Sequence, residues 1–190
     1  MPDPYCCPNS RVLKNKLDIR DSEKLYHRER DLSNLRAAEL LNSPIIGSFD
    51  FTHLKKIHAY LFQDLYDWAG KVRKVDIAKG NLFCRAFAIE SEAARIFSKL
   101  KAEKFLEGLN AGDFSKRLTY YFAEINALHP FREGNGRAQR EFIRQLALQN
   151  NYFLSFAKIT QEEMILASKA SFNLDYSPLE KIILNGLRPF

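Results

Sequence analysis

The chain has 190 residues, 29 of them Lys or Arg against 23 Asp or Glu, so its formal net charge is +6. Hydrophobic residues at 46% and charged ones at 27% form a globular composition that excludes a disordered chain. No run approaches the ~18 consecutive apolar residues of a membrane span.

The length predicts one domain, 1–190, large enough for a full hydrophobic core. The N-terminus, Met1-Pro2-Asp3-Pro4-Tyr5-Cys6-Cys7-Pro8, lacks the apolar stretch of a signal peptide. Cys6, Cys7 and Cys84 show no metal-ligand spacing and suit a reducing compartment, so a cytoplasmic location is expected. The positive excess points to an anionic partner and leaves nucleic acid, acidic protein and nucleotide phosphate open.

Residues 1–20, with prolines at 2, 4 and 8, read as an extended N-terminal arm. From Asp21 to Leu41, Leu25, Leu32, Leu35 and Leu40 mark an amphipathic helix that Ser43-Pro44 ends. Asp50 is placed to cap the next helix, whose Leu54, Ile57, His58, Leu61, Phe62 and Leu65 share one face, with Gly70 closing the segment. The period changes over 72–86. There Val75-Asp76-Ile77 alternates, Lys79-Gly80-Asn81 supplies a turn and Leu82-Phe83-Cys84 runs apolar, a hairpin signal. Helical spacing returns with Ile89, Ala93, Ile96, Phe97 and Leu100 until Gly108 to Gly112 breaks it. Asp113 can cap a helix carrying Leu118, Phe122 and Ile125, which His129-Pro130 stops. Arg137 to Leu148 form another helix, Thr160 to Glu163 matches a capping box, and Ser177-Pro178 starts a last helix that Gly186 ends. The class is mainly α, with about six or seven helices and one small hairpin.

The chemistry concentrates in 129–140, His129-Pro130-Phe131-Arg132-Glu133-Gly134-Asn135-Gly136-Arg137-Ala138-Gln139-Arg140. Two glycines flanking an asparagine permit positive φ, so consecutive backbone N–H groups converge on one point. That point opens a helix, where free amides and the positive dipole end favour an anion. Arg137 and Arg140 fall on one face of the first turn and extend such a site to further phosphates. Glu133 is a hard oxygen ligand suited to Mg²⁺ when a polyphosphate is present. His129 is the one side chain of the segment that accepts a proton near neutral pH. Together they are an inventory for phosphoryl or nucleotidyl transfer. The plainer alternative is a helix stop, a connecting turn and a solvated arginine face. Against it, arginines in a first helical turn oppose the dipole unless an anion is bound.

Elsewhere the residues read as scaffold. His53 and His58 are five apart, the wrong spacing for a zinc pair, and are expected at the surface or the edge of the core. Trp68 beside Tyr66 reads as packing at a helix end. Cys84 reads as a small strand residue, and Lys71, Arg73 and Lys74 as a solvated basic cluster. The basic residues from Arg11 to Arg30 are interleaved with Asp18, Asp21, Glu23 and Glu29, which argues against a nucleic-acid stripe.

Segment 129–140 resembles the full Fic motif, HPFx[D/E]GNGRxxR, at every fixed position. Tyr66 to Arg73 is similar to that family's stretch before its hairpin, and Val12 to Leu17 to the entry sequence of bacterial members. The resemblance runs from about Pro4 to Leu148 and implies a Fic fold. It implies a protein adenylyltransferase that moves AMP from Mg-ATP onto a Ser, Thr or Tyr hydroxyl of a target protein. His129 would be the base, Phe131 the loop's core anchor and Glu133 the Mg²⁺ ligand. Gly134, Asn135 and Gly136 would form the anion hole, with Arg137 on the β-phosphate and Arg140 on the γ-phosphate. Lys79, Gly80, Asn81, Leu82, Phe83 and Cys84 would be the flap that aligns the target by backbone pairing. The same scaffold is also compatible with transfer of UMP, phosphocholine or a phosphoryl group. Many members carry an inhibitory [S/T]xxxE[G/N] helix. Here Glu precedes Gly or Asn only at Glu107 and Glu133, with Glu103 and His129 four residues earlier, so the motif is absent. A toxin restrained by a separate small antitoxin that engages Arg140 is the corresponding expectation.

Overall fold

In the computed structural model, which describes residues 3–190, the apolar spacings become seven α-helices. They are α1 (Ser22–Asn42), α2 (Phe51–Phe62), α3 (Ile89–Ala102), α4 (Ala111–Leu128), α5 (Asn135–Gln149), α6 (Gln161–Phe172) and α7 (Ser177–Gly186). The strands β1 (Ala78–Lys79) and β2 (Asn81–Leu82) pair antiparallel around Gly80 and form the flap. None of the described helices is long and apolar enough to cross a membrane.

Local chemistry sets most boundaries. Asp21 and Asp50 cap α1 and α2 by accepting from the backbone N–H groups of Lys24 and His53. The capping box predicted at Thr160 and Glu163 opens α6, and Pro178 sits in the first turn of α7. Asn110, one turn before the expected Asp113, caps α4, because its side chain accepts from the Asp113 N–H. Helix α2 stops at Phe62 although the apolar face continues to Leu65 and Tyr66. Those two are buried from a turn, so periodicity overran the helix.

Helices α4 and α5 are central. Helix α4 packs on α3, α5 and α7, while α5 also packs on α2, and α2 in turn carries α1. Phe114, Leu118, Tyr121, Phe122, Phe142, Ile143 and Leu146 join one apolar cluster that extends from Val12 to Leu187. On α1 the expected leucine stripe is only half used. Leu25 and Leu40 are buried but Leu35 is exposed, and the buried face also carries Glu29 and Ser33. A second antiparallel pair, β3 (Tyr152–Leu154) with β4 (Leu187–Pro189), was not foreseen. Its partners lie far apart in sequence and its strands are too short for alternation to show.

The arm is not simply extended. Cys6 bridges Leu13, Tyr5 packs edge-on against Trp68, and Asp3 pairs with Arg132, so the segment lies folded on the body. Met1 and Pro2 of the predicted arm lie outside the described residues.

Truncating a central aromatic removes contacts that neighbours cannot remake. Phe142→Ala should cost about 3–5 kcal/mol in urea unfolding, while Phe87→Ala, at a position 89% exposed, should stay within about 0.5 kcal/mol.

Candidate active site

The segment from His129 to Arg140 links α4 to α5 and lines a cleft of about 890 Å³. Helix α1, the flap and α6 also border it. Sequence spacing grouped His129, Glu133, Gly134, Asn135, Gly136, Arg137 and Arg140, and the fold brings all of them to this cleft. Of the flap it adds Lys79, Asn81 and Phe83.

His129 caps α4 in a left-handed conformation (φ 44°, ψ 60°), which turns the chain out of the helix. Its Nδ1 lies 3.2 Å from the Asn126 carbonyl oxygen. A carbonyl only accepts, so Nδ1 carries the proton and Nε2 keeps its lone pair. The ring stacks on Phe83, with centroids 3.7 Å apart and planes 15° apart. Burial, aided by the positive charges of Lys79 and Arg73, lowers its pKa to about 4 against the opposing Asn126 hydrogen bond. His129 is thus a neutral imidazole at physiological pH.

The loop is closed from within. Asn135 accepts from the Phe131 N–H at 2.8 Å and donates to the Phe131 carbonyl at 2.7 Å. Its side chain is therefore spent on the loop, which leaves its backbone N–H as its one free donor. Neither that N–H nor the one of Gly136 finds an acceptor among the described residues. Gly134 has φ +79°, and a Cβ there would lie 2.2 Å from the Phe62 ring, so glycine is required on both counts. Phe131 is buried, as expected of an anchor, and stacks on His58 at 3.8 Å.

Charges line the open side. Glu133 accepts from the Gly134 N–H at 2.9 Å, and its second oxygen lies 3.6 Å from Lys79 Nζ on the flap. Burial would raise its pKa, but Lys79, the Gly134 N–H and Arg137 outweigh it and hold the carboxyl below its ordinary value. Arg137 donates to Ser33 Oγ at 2.7 Å and to Glu29, and its guanidinium sits over the Phe62 ring. Glu29 also accepts from the Tyr66 hydroxyl. Arg140 has no hydrogen-bond acceptor or acidic partner among the described residues. Burial and the Arg137 charge push its pKa below the ordinary arginine value.

Three sequence readings are corrected. His58 is wholly buried, accepting from the Gly70 N–H at 2.8 Å and donating to the Glu133 carbonyl at 2.9 Å. His53 is likewise internal, between Ile45 and Gln145. Arg73 is no solvated cation, being only 1% exposed. Glu29, Ser33 and Tyr66 were not recognised as site residues. Glu29 and Ser33 lie four apart on one face of a charged helix, a pattern no different from a solvated surface. Cys84 lies just beyond β2 with its thiol pKa raised by burial, in keeping with an unactivated cysteine.

The buried imidazoles make stability depend on pH. Burial lowers all three, His58 to about 3, His129 to about 4 and His53 by direction. Unfolded, they titrate near ~6.5. As pH falls below that value the unfolded chain takes up protons the folded chain refuses, so stability present above it is lost on acidification. His58 alone should cost about 2 kcal/mol by pH 5. Urea midpoints should therefore fall between pH 7.5 and 5, and His58→Asn should lower the midpoint at pH 7.5 while flattening the decline.

Residues 48–147 match the Fic/DOC family. The chain is 44% identical over 189 residues to the protein adenylyltransferase VbhT of Bartonella schoenbuchensis, covering 99% of this chain and 40% of that protein. It is 39% identical over 181 residues to the probable protein adenylyltransferase Fic of Escherichia coli K12, covering 95% of this chain and 90% of that one. The fold superposes with a TM-score of 0.92, at 30% identity, on the N-terminal Fic domain of a VirB-translocated Bep effector of Bartonella quintana solved with bound ADP, covering 97% of this chain and 94% of that one. It superposes with a TM-score of 0.93, at 26% identity, on BepC of Bartonella tribocorum solved with bound AMPPNP, covering 98% and 97%. With an intact motif folded into one cleft and a match across more than half its length, the chain belongs to the Fic/DOC family.

Proposed function

We propose that this protein is an adenylyltransferase that moves AMP from Mg-ATP to a Ser, Thr or Tyr hydroxyl of a target protein. The observation that carries the reading is the uncompensated charge at the start of α5. Among the described residues Arg140 lacks an acidic partner and faces the Arg137 charge, beside two backbone N–H groups without acceptors. A polyphosphate neutralises all of these at once. Relatives at 39–44% identity are named protein adenylyltransferases, and structural relatives hold ADP and AMPPNP.

In this reading the N–H groups of Asn135 and Gly136 cradle the phosphates, while Gly134, expected to join them, shapes the turn with its own N–H held by Glu133; Arg137 lies on the β-phosphate side and Arg140 on the γ-phosphate. The target's hydroxyl oxygen attacks the α-phosphorus and its proton passes to His129 Nε2. The bond from the α-phosphorus to the bridging oxygen breaks, and pyrophosphate leaves on the arginines. His129 suits this role because the Asn126 hydrogen bond leaves Nε2 as the free lone pair. Of the flap residues Lys79 to Cys84, those from Lys79 to Leu82 would pair with the target backbone, since β1 and β2 are exposed, whereas Phe83 and Cys84 are bonded inward to Ile77 and Ala127.

The residues also fit a Mg²⁺ ion. Glu133 is held ionised at the cleft, and no group of three or more His, Cys, Asp or Glu forms a metal cage among the described residues. Such a cation would take its other oxygens from phosphate and water, as Mg²⁺ commonly does. Bound there, Mg²⁺ would neutralise charge on the α- and β-phosphates. Arg140, without an acidic partner among the described residues, supports control by a separate small antitoxin whose glutamate pairs with it.

Incubation with labelled ATP, Mg²⁺ and cell lysate should put label on protein from α-labelled but not γ-labelled ATP. Label from the γ-position alone would overturn AMP transfer. His129→Ala should lower the rate about 10²–10⁴-fold. Because the His129 pKa is about 4, the acidic limb of kcat/KM should lie near that value, well below the ~6.5 of a free histidine.

A further inference from the structure

Arg73 is one of the largest fully buried side chains among the described residues, and no carboxylate of theirs stands within ion-pair distance of it. A buried charge is costly unless its donors are satisfied. Here backbone carbonyls satisfy them. Nη1 donates to Val75 at 2.6 Å, Nη2 to Cys84, and Nε to His129 at 2.8 Å. The Arg73 N–H adds a bond to the Pro130 carbonyl at 2.9 Å.

The identity of those carbonyls gives the contact its meaning. Val75 and Cys84 are the two legs of the flap, one before β1 and one after β2. His129 is the proposed base. One planar group therefore ties both legs of the hairpin to the residue that must meet the acceptor hydroxyl. The flap needs such a tie, since two paired residues on each side, all exposed, do not hold a hairpin in place. The Cys84 N–H to Ala127 carbonyl bond and the Phe83 ring on His129 complete the anchorage. Only a guanidinium offers donors in a rigid fork that reaches three carbonyls together. Among the described residues, none of those proposed to grip ATP, from Gly134 to Arg140, hydrogen-bonds to it.

We propose that Arg73 is a positioning residue for the protein acceptor, setting the register of the flap on His129 without taking part in nucleotide binding. This rests on the adenylyl-transfer reading. Arg73→Lys keeps the charge but not the fork, and Arg73→Gln keeps neither. Both variants should bind AMPPNP within about twofold of the unaltered protein. Transfer from α-labelled ATP to protein should fall about 100-fold, the scale of an ångström-sized misplacement. Amide exchange should rise at Phe83 and Cys84 while α4 and α5 stay protected.

If the unaltered protein transfers no AMP, the functional reading fails. In that event unchanged flap exchange in Arg73→Lys overturns the anchoring role, and increased exchange with intact AMPPNP binding supports it. If the unaltered protein is active and Arg73→Lys transfers normally, the inference alone fails. Loss of AMPPNP binding, or of folded protein, in both variants assigns Arg73 to the scaffold and overturns the proposal.

Discussion

His58 joins three parts of the molecule: α2, the turn at Gly70 and the loop that carries the motif. It stands on α2, accepts from the Gly70 N–H, donates to the Glu133 carbonyl and stacks on Phe131. Because Nδ1 accepts from an N–H and Nε2 faces a carbonyl, the ring has one possible neutral tautomer. A protonated ring would lose the Gly70 bond and bury a charge. The active-site loop can present free amides and cations on its open side because this uncharged brace satisfies its closed side. Gly134 belongs to the same constraint, since its backbone presses on Phe62 one turn along α2.

The electrostatics of the cleft follow from what is and is not neutralised. Arg137 is held by Glu29 and Ser33, and Glu133 by Lys79 and the Gly134 N–H. Each keeps donors or an oxygen toward the cleft. Arg140 has no such partner among the described residues, and its neighbour is another cation. A site arranged this way is pre-organised for an anion with several charges, because the reorganisation needed to bind one has already been done by folding. Helix α1 takes part through Glu29, so the N-terminal third of the chain belongs to the site although it lies outside the motif.

Buried polar groups on the near side of the cleft share one task. Arg73 is satisfied by main-chain carbonyls, Asn135 by the main chain of Phe131, and His58 by the main chain of Gly70 and Glu133. In each case a side chain substitutes for regular secondary structure in a stretch that has none. The backbone of 70–77 and 129–134 can therefore be irregular without leaving many buried groups unpaired.

The site motif was legible in the sequence because its chemistry is local. The loop 129–140 is short, and glycine, asparagine and two arginines at an α-helix start can be read without knowing what lies opposite. The helices were legible for the same reason, with caps at Asp21, Asp50 and Thr160 acting within one turn. What lay hidden depends on residues distant in the chain. His58 meets Glu133, Arg137 meets Glu29, and β3 finds β4, across separations where composition and period carry no signal. Arg73 is the sharpest case. In sequence it is one of three clustered cations, indistinguishable from a solvated patch. In the folded chain Arg73 alone turns inward, because only there do three carbonyls converge to replace the water a guanidinium loses. Neighbours along the chain set the helices, the flap turn and the chemical inventory of the loop. Which charges are neutralised and which stay open is settled by folding, because neutralisation requires partners that packing alone brings within reach.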